Sequence, residues 1–417
     1  MSKLLEEILS DENIKQAFKK VASNKGAAGI DGIQIKEAKE ALQQNWNNIK
    51  NDIQNRKYKP MPVLRVEIPK PNGGTRKLGI PTVIDRVIEQ AITQKLLPLC
   101  EPHFHENSYG FRPNKSAQQA VLKLKDFVND GYMYLVDLDL EKFFDNVNQD
   151  KLMSLIHNII NDPDTESLIC KYLKAGVMVN GKLEPTTIGT PQGGNLSPLL
   201  SNIMLNELDK ELTKRDLKFV RYADDCIIAV RSKVAAKRVM GNITRWIEKK
   251  LYLKVNKEKS KIVCPRQVKY LGFSFWKSRN EYKLTPHKDS KENFKRKLKQ
   301  LTERRKSMNL KERLKMISSV IRGWVNYFRI GSMKTFLKEV DEHLRTRIRI
   351  IIWKMWKTSQ KRMWGLTKIG VPKWMARKSV AFGDHYQAVA KTTGLHKITK
   401  EILANTGLVS CLDYYLN

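Results

Sequence analysis

Acidic side chains interrupt two apolar runs that otherwise read as strands. Tyr222-Ala223-Asp224-Asp225 lies between Phe219-Val220-Arg221 and Cys226-Ile227-Ile228-Ala229-Val230, a pattern that predicts a hairpin with carboxylates at its tip. Asp favours turns, so the dipeptide alone reads first as turn chemistry. The second run is Tyr134-Leu-Val-Asp-Leu-Asp-Leu140. Its acids Asp137 and Asp139 are two apart and project from one face of a strand. A charge buried without a partner is costly, and a metal ion is the economical partner. Oxygen-only ligation suits Mg²⁺, which keeps waters and takes further ligands from substrate phosphates. Two such ions ~3.5–4 Å apart drive in-line phosphoryl displacement.

Two glycine-bearing stretches offer complementary chemistry. In Arg65-Val-Glu-Ile-Pro-Lys-Pro-Asn-Gly-Gly-Thr-Arg-Lys-Leu-Gly-Ile-Pro81 a tight turn separates two extended runs. Lys70, Arg76 and Lys77 flank that turn and can reach one triphosphate, Arg being suited to bidentate phosphate contacts; basic residues around an exposed turn are also commonly just solvated. Gly189-Thr-Pro-Gln-Gly-Gly-Asn-Leu-Ser-Pro198 precedes a helix whose apolar side is Leu200, Ile203, Met204, Leu208 and Leu212. Ser197 with Pro198 makes the helix start. Glycines there permit close approach of a substrate, and Gln192 offers both donor and acceptor; a Gly-rich turn is the plain alternative. A third stretch, Lys25-Gly-Ala-Ala-Gly-Ile-Asp-Gly32, lacks the spacing of a phosphate-binding fingerprint and reads as a connecting loop.

The elements that must position these residues are mixed. Residues 1 to about 45 read as helical, with stripes Leu4, Leu5, Ile8, Leu9 and Ile14, Ala17, Phe18, Val21. Residues 114–130 form a helix with Ser116 or Asn114 as its cap, and residues 132–140 a buried strand. The chain carries 77 Lys+Arg against 43 Asp+Glu, a net charge of +34 over 417 residues. That excess favours a polyanion, since a phosphate backbone rewards it through counterion release. Residues 291–417 hold 29 Lys+Arg and 9 Asp+Glu, net +20, and five of the eight tryptophans. Basic residues interleaved with aromatics suit a surface that tracks a nucleic-acid backbone, whereas Trp324, Tyr327 and Phe328 have the spacing of a core stripe. The five cysteines form no C-x-x-C pair, arguing against a zinc module and a disulfide framework. His103 and His105 read as structural. No apolar run is long enough to span a bilayer, and the N-terminus lacks a signal-peptide pattern, so a reduced, cytosolic protein without a membrane partner is expected.

In this order the segments resemble the reverse transcriptases encoded by bacterial group II introns, over essentially the whole chain. Asp139-Leu-Glu-Lys-Phe-Phe-Asp145 is similar to the first polymerase carboxylate motif, Thr190–Pro198 to the nucleotide-proximal motif, and Tyr222–Asp225 to the second carboxylate motif. Tyr270-Leu271-Gly272-Phe273 resembles the primer-gripping segment, and Arg322-Gly-Trp-Val-Asn-Tyr-Phe328 the maturase or thumb region. The resemblance implies an α+β right-hand polymerase: an N-terminal extension over residues 1–45, fingers and palm over 46–285, a helical thumb over 286–365, and a small basic, possibly DNA-binding region over 366–417.

The same resemblance makes Asp139, Asp224 and Asp225 the catalytic metal carboxylates, with the backbone carbonyl of Leu140 a further ligand and Asp137 supporting. It implies two Mg²⁺ ions, Mn²⁺ being a substitute. Lys70, Arg76, Phe144, Gln192 and Gly193 would bind the dNTP, Phe144 excluding a 2′-hydroxyl. Tyr222, Tyr270, Leu271, Gly272 and Phe273, with Gly26 and Gly29 of the N-terminal loop, would meet primer and template. The implied activity is RNA-directed DNA polymerisation on an RNA template with a DNA or RNA primer, joined to a maturase role on the parent intron RNA and contact with target DNA. No Cys/His cluster of a nuclease domain follows, as in the endonuclease-lacking members. The alternatives are an RNA-binding splicing factor with a dispensable polymerase, and the reverse transcriptase of another bacterial retroelement; an RNA-dependent RNA polymerase is more remote.

Overall fold

The computed structural model describes residues 2–69, 73–191 and 193–417, and the chain divides into two compact units, Met1–Cys264 and Pro265–Asn417. The first unit begins with helices α1 (Lys3–Ile8), α2 (Asp11–Ser23) and α3 (Ile35–Gln54). Ser2 and Ser10 cap the first two by accepting backbone N–H bonds, and the stripe of Ile14, Ala17 and Val21 is buried. A hairpin of β1 (Val63–Pro69) and β2 (Thr75–Ile80) follows, then α4 (Val83–Cys100) and α5 (Ala117–Asn129). Ser116 and Gln119 form a capping box at α5, so Ser116 is the cap and Asn114 sits before it with a φ of +59°.

The strand carrying the acids is β3 (Tyr134–Leu138), followed by α6 (Phe143–Asn146), α7 (Gln149–Ile160), α8 (Pro163–Leu173), β4 (Val177–Val179) and β5 (Lys182–Glu184). The unit closes with α9 (Ser197–Lys214), the hairpin β6 (Lys218–Tyr222) and β7 (Asp225–Val230), α10 (Lys233–Trp246) and β8 (Lys261–Val263). One sheet has the order β6-β7-β3-β8, the other β2-β1-β4-β5. In the first, every neighbouring pair is antiparallel. Leu135, Val136 and Leu138 of β3 and Ile227 and Ile228 of β7 are buried, and full burial of each such side chain contributes about 1.5–3 kcal/mol. The core runs from α1 through α4, α7 and α9 to the sheet. It holds the acidic end of β3 and β7 in place.

The second unit opens with a hairpin of β9 (Phe273–Ser278) and β10 (Glu281–Pro286), which pair only with each other among the described residues. The helices α11 (Lys288–Leu301), α12 (Leu310–Phe328) and α13 (Lys334–Met355) follow. The β9–β10 hairpin belongs to this second compact unit because it packs its aromatics on α12. Phe273 lies 4.9 Å from the Phe328 ring, and Phe294 stacks on Trp324 at 4.4 Å. Of the Trp324, Tyr327, Phe328 stripe, Phe328 is buried, while Trp324 and Tyr327 are half-buried against the aromatics around it. Beyond α13 come α14 (Ser359–Lys368), α15 (Lys373–Val380), α16 (Tyr386–Ala390), α17 (Thr393–His396), α18 (Lys400–Asn405) and α19 (Cys411–Leu416). Buried Asp341 of α13 accepts the N–H groups of Cys411 and Leu412 and the Ser410 hydroxyl. Arg349 donates to the Ile398 and His396 carbonyls. The C-terminal segment is thereby fastened to the helical bundle.

Candidate active site

The β6–β7 register pairs Tyr222 with Asp225, leaving Ala223 and Asp224 as the turn. Ala223 has a φ of +57°, a left-handed conformation that costs a non-glycine residue roughly 1–2 kcal/mol. Arg221 offsets that cost from below. Its Nη1 donates to the Ala223 carbonyl at 2.9 Å and to Asn202 Oδ1 at 3.1 Å, and its Nη2 to Ser108 Oγ at 2.8 Å. Nε and Nη2 also form a two-pronged pair with Asp209 at 2.7 and 2.6 Å, both side chains fully buried. On the outer side, Tyr109 N–H donates to the Arg221 carbonyl. A Cβ on Gly110 would stand 2.2 Å from the Ala223 nitrogen, so only glycine lets that segment lie against the turn.

The acids meet across the sheet. β3 and β7 are paired as far as Leu138 with Cys226; one further step brings Asp139 opposite Asp225. Strand alternation then puts Asp137, Asp139 and Asp225 on one face, with Asp224 at the tip. Asp225 is exposed at its edge, yet crowding by protein pushes its carboxyl up to about 6, aided by Asp224, Asp137 and Asp139. Burial also raises Asp137 to about 6, with Asp139 adding to the rise and its cross-strand neighbour Lys261 opposing it. Asp139 is held by its backbone: its N–H donates to Ser260 Oγ at 3.0 Å and its carbonyl accepts from Asn256 at 2.8 Å. Lys259 Nζ stands 3.8 Å from its Oδ1. Leu140 is bridged to Val255.

These donors fit a hard divalent cation in kind: all are oxygens, and the neighbouring acids add to the burial that raises Asp225 and Asp137. Among the described residues, no three His, Cys, Asp or Glu side chains converge closely enough to hold an ion by themselves. A bound ion would therefore draw these side chains together and take further oxygens from elsewhere.

A cleft of about 400 Å³ opens beside the α6 turn, lined by Arg65, Lys77 and Gly79 of the β1–β2 hairpin, by Lys142 and Phe144, and by Gly189–Pro191. Phe144 is half-buried, with its ring edge-to-face with Phe143 at 5.2 Å. Thr190 N–H donates to the Phe144 carbonyl at 2.7 Å, and a Cβ on Gly189 would lie 2.8 Å from that same oxygen. Gly193 has a φ of +131°, and a Cβ there would stand 2.3 Å from the Gly79 carbonyl. Loop and hairpin are thus joined by glycines. Register sorts the hairpin's cations: Lys77 pairs with Glu67 and Gly79 with Arg65, whereas Arg76 pairs with Ile68. Arg76 therefore projects from the face opposite to the cleft-lining Arg65 and Lys77. Lys70 and Gln192 lie outside the described residues.

The remaining sites are placed separately. Tyr222 is half-buried with its ring 6.4 Å from Phe111. Gly26 and Gly29 pack tightly on the start of α4, where added Cβ atoms would meet Arg86 at 2.4 Å and Thr82 at 2.6 Å. In the second unit, Tyr270–Phe273 form a tight turn with Leu271 and Gly272 at positive φ, and Tyr327 Oη donates to the Leu271 carbonyl at 2.9 Å.

Sequence reasoning missed Arg65, Lys142 and the Arg221–Asp209 pair. A signal for the last existed. Asn202, Asn206 and Asp209 follow helical spacing on the buried side of α9, and a buried polar stripe must have partners.

Residues 68–275 match the family model described as Reverse transcriptase (RNA-dependent DNA polymerase), and residues 291–370 match the Group II intron, maturase-specific domain. The chain is 32% identical over 302 residues to Protein YkfC of Escherichia coli, covering 63% of this chain and 79% of that protein. It is 35% identical over 254 residues to the Group II intron-encoded protein LtrA of Lactococcus lactis, spanning 61% of this chain but only 41% of LtrA. The Retron Ec73 reverse transcriptase of Escherichia coli is 22% identical over 301 residues, covering 69% of this chain and 86% of that protein. A divalent-metal-dependent polymerase domain followed by a maturase domain is the organisation of this chain, which belongs to the reverse transcriptases of the group II intron-encoded family.

Proposed function

We propose that this reverse transcriptase extends a DNA or RNA primer along an RNA template at the β3–β7 carboxylate end, with Mg²⁺ as the divalent ion and Mn²⁺ as a substitute. Asp139, Asp224, Asp225 and the Leu140 carbonyl would hold two ions, Asp137 supporting them. The observation that carries this reading is the shared face of Asp139 and Asp225, where burial, aided by the neighbouring acids Asp224, Asp137 and Asp139, raises the Asp225 carboxyl to about 6; a divalent cation offsets charge held in such a place. When bound, such ions lower the pKa of the primer 3′-hydroxyl and screen the charge developing on pyrophosphate. Arg221 and Asp209 keep Asp224 and Asp225 at the tip. Arg65 and Lys77 would face the dNTP phosphates from the cleft, and Lys70 would bind them too, whereas Arg76 projects from the opposite face of the hairpin. Phe144 would lie under the sugar, and Gln192 and Gly193 would line the nucleotide pocket.

Tyr222 and Tyr270–Phe273 would meet the primer, and Gly26 and Gly29 the template. Binding and splicing of a parent group II intron RNA by the 1–45 and 286–365 segments, with target DNA met through the basic 366–417 segment, complete the proposal; the setting is the bacterial cytosol. Primer extension with a defined RNA template, Mg²⁺ and dNTPs tests it: Asp224→Asn with Asp225→Asn abolishes extension, and unchanged extension would put the metal site elsewhere. Splicing measured with the same variant separates the two roles, since a splicing factor with a dispensable polymerase keeps splicing.

A further inference from the structure

Helix α4 carries a line of buried polar side chains, Thr82, Asp85, Arg86, Glu89 and Gln90, that no step of the polymerase chemistry uses. Asp85 is saturated locally, accepting from the Tyr58, Thr82 and Tyr172 hydroxyls and from the Met61 N–H. Glu89 is spent differently. It is 4% exposed, and its Oε2 accepts the Asn195 N–H at 2.6 Å, with the Leu196 N–H a second backbone donor. Its neighbours grip the same residue: Asn195 Nδ2 donates to Gln90 Oε1 at 3.2 Å, and the Thr93 hydroxyl donates to the Asn195 carbonyl at 3.3 Å. A Cβ on Gly194 would stand 2.9 Å from Glu89 Oε2 and 3.0 Å from Oε1.

A carboxyl is among the costliest groups to bury. Here burial pushes it up to about 8 against the opposing effect of both N–H groups and Arg86. The other charged or titratable groups facing it are Asp85 on its own helix and Tyr58 and Tyr172 from the flanking elements. An apolar side chain would fill that space at lower cost. What the carboxyl supplies is a pair of acceptors for the two N–H groups immediately after Gly193 and Gly194, at the point where the loop enters α9. Gly193 is the residue seated against the Gly79 carbonyl of the fingers hairpin.

We propose that Glu89 is a positioning residue for nucleotide binding, fixing the Gly193–Leu196 turn through the Asn195 and Leu196 N–H groups and so holding the nucleotide side of the cleft in register with the fingers hairpin. The inference rests on reading the 190–198 block as the nucleotide-proximal loop. It calls for a split between KM and kcat rather than a general loss. In Glu89→Ala, KM for dNTP rises at least about tenfold while kcat changes less than about threefold. Template–primer affinity, measured by fluorescence anisotropy without dNTP, stays at the wild-type value. Glu89→Gln, which keeps an acceptor oxygen, recovers most of the loss. If Glu89→Ala does not fold, Glu89→Leu fills the volume without an acceptor and shows the same KM defect. A folded Ala or Leu variant with wild-type KM overturns the proposal, as does a KM rise matched by an equal loss of template–primer affinity. Gln192→Ala serves as the reference. If it too leaves KM for dNTP unchanged, the reading of the 190–198 block fails; if it raises KM while the Glu89 variants do not, only the role of Glu89 fails.

Discussion

Two charged clusters lie within one strand of each other and are built on opposite rules. At the tip of β6–β7, Asp224 and Asp225 lie with Asp137 and Asp139, and burial, with like charge adding to it, raises the Asp225 and Asp137 carboxyls to about 6. Just beneath, Arg221 and Asp209 are fully buried and joined by two hydrogen bonds, with the guanidinium donating also to Asn202, Ser108 and Ala223. The difference separates a site from its support. Crowded like charge is unfavourable and persists where a ligand makes use of it. Complementary charge that is fully satisfied specifies one geometry.

That contrast predicts opposite responses to neutralisation. Asp224→Asn with Asp225→Asn removes repulsion and is expected to cut single-turnover extension by about 10³-fold or more, while the thermal midpoint stays at or above that of the wild type. A comparable fall in the midpoint would mean that the upper cluster is structural. Asp209→Ala does the reverse. It leaves Arg221 charged and buried without its partner, a loss of about 3–5 kcal/mol that denaturant unfolding of the Asp209 variant reads directly. A cost near zero would make the pair dispensable to the turn.

Glu89 stands between these cases, buried but accepting from backbone rather than paired with a cation, and it gives the contrast a pH axis. Its folded pKa, about 8, exceeds the ordinary 4.5, so the folded state holds this proton more tightly than the unfolded state does. Across that window the native state binds more protons, and stability falls as pH rises. The contribution is fully present below about 4.5 and is lost by the time pH passes about 8. Glu89→Gln, which cannot ionise, is expected to flatten this decline in a thermal-midpoint profile from pH 5 to 9. If both proteins decline in parallel, some other group titrates.

Much of the upper cluster was legible in the sequence because strand alternation is a local property. Asp137 and Asp139 share a face by spacing alone, and acids between apolar runs mark a hairpin tip. Their meeting with Asp225 was not legible, since it depends on the register of β3 against β7. The same limit explains the fingers hairpin: Arg76 and Lys77 are adjacent in sequence, yet pairing with Ile68 and Glu67 sends them to opposite faces, which brings Arg65 rather than Arg76 to the cleft. The Arg221–Asp209 pair joins a strand to a helix: the helical spacing of Asn202, Asn206 and Asp209 signals a buried polar stripe, but not that Arg221 is its partner. That Trp324, Tyr327 and Phe328 share one packed face was legible because helical periodicity is again local, although only Phe328 is buried, whereas the unit boundary at Cys264 rests on which hairpin packs where.

The smallest expected effect probes the junction of the two clusters, Ala223, whose left-handed φ of +57° is imposed by the turn and held by the Arg221 bond to its carbonyl. Glycine adopts that conformation without steric cost but loses more backbone entropy on folding, so Ala223→Gly is expected to change stability by no more than about 1 kcal/mol. Its effect on extension is separable. The acids at the tip are aimed by a turn that alanine keeps narrow in conformational range, and a freer turn holds Asp224 and Asp225 less firmly. Extension should therefore fall a few-fold, about 2- to 5-fold on the scale at which small misplacements act, with the unfolding midpoint nearly unchanged. If Ala223→Gly extends at the wild-type rate, the Arg221 network alone fixes the tip and the strain at Ala223 is incidental; if Asp209→Ala in the same background adds no further loss, the two act as one support.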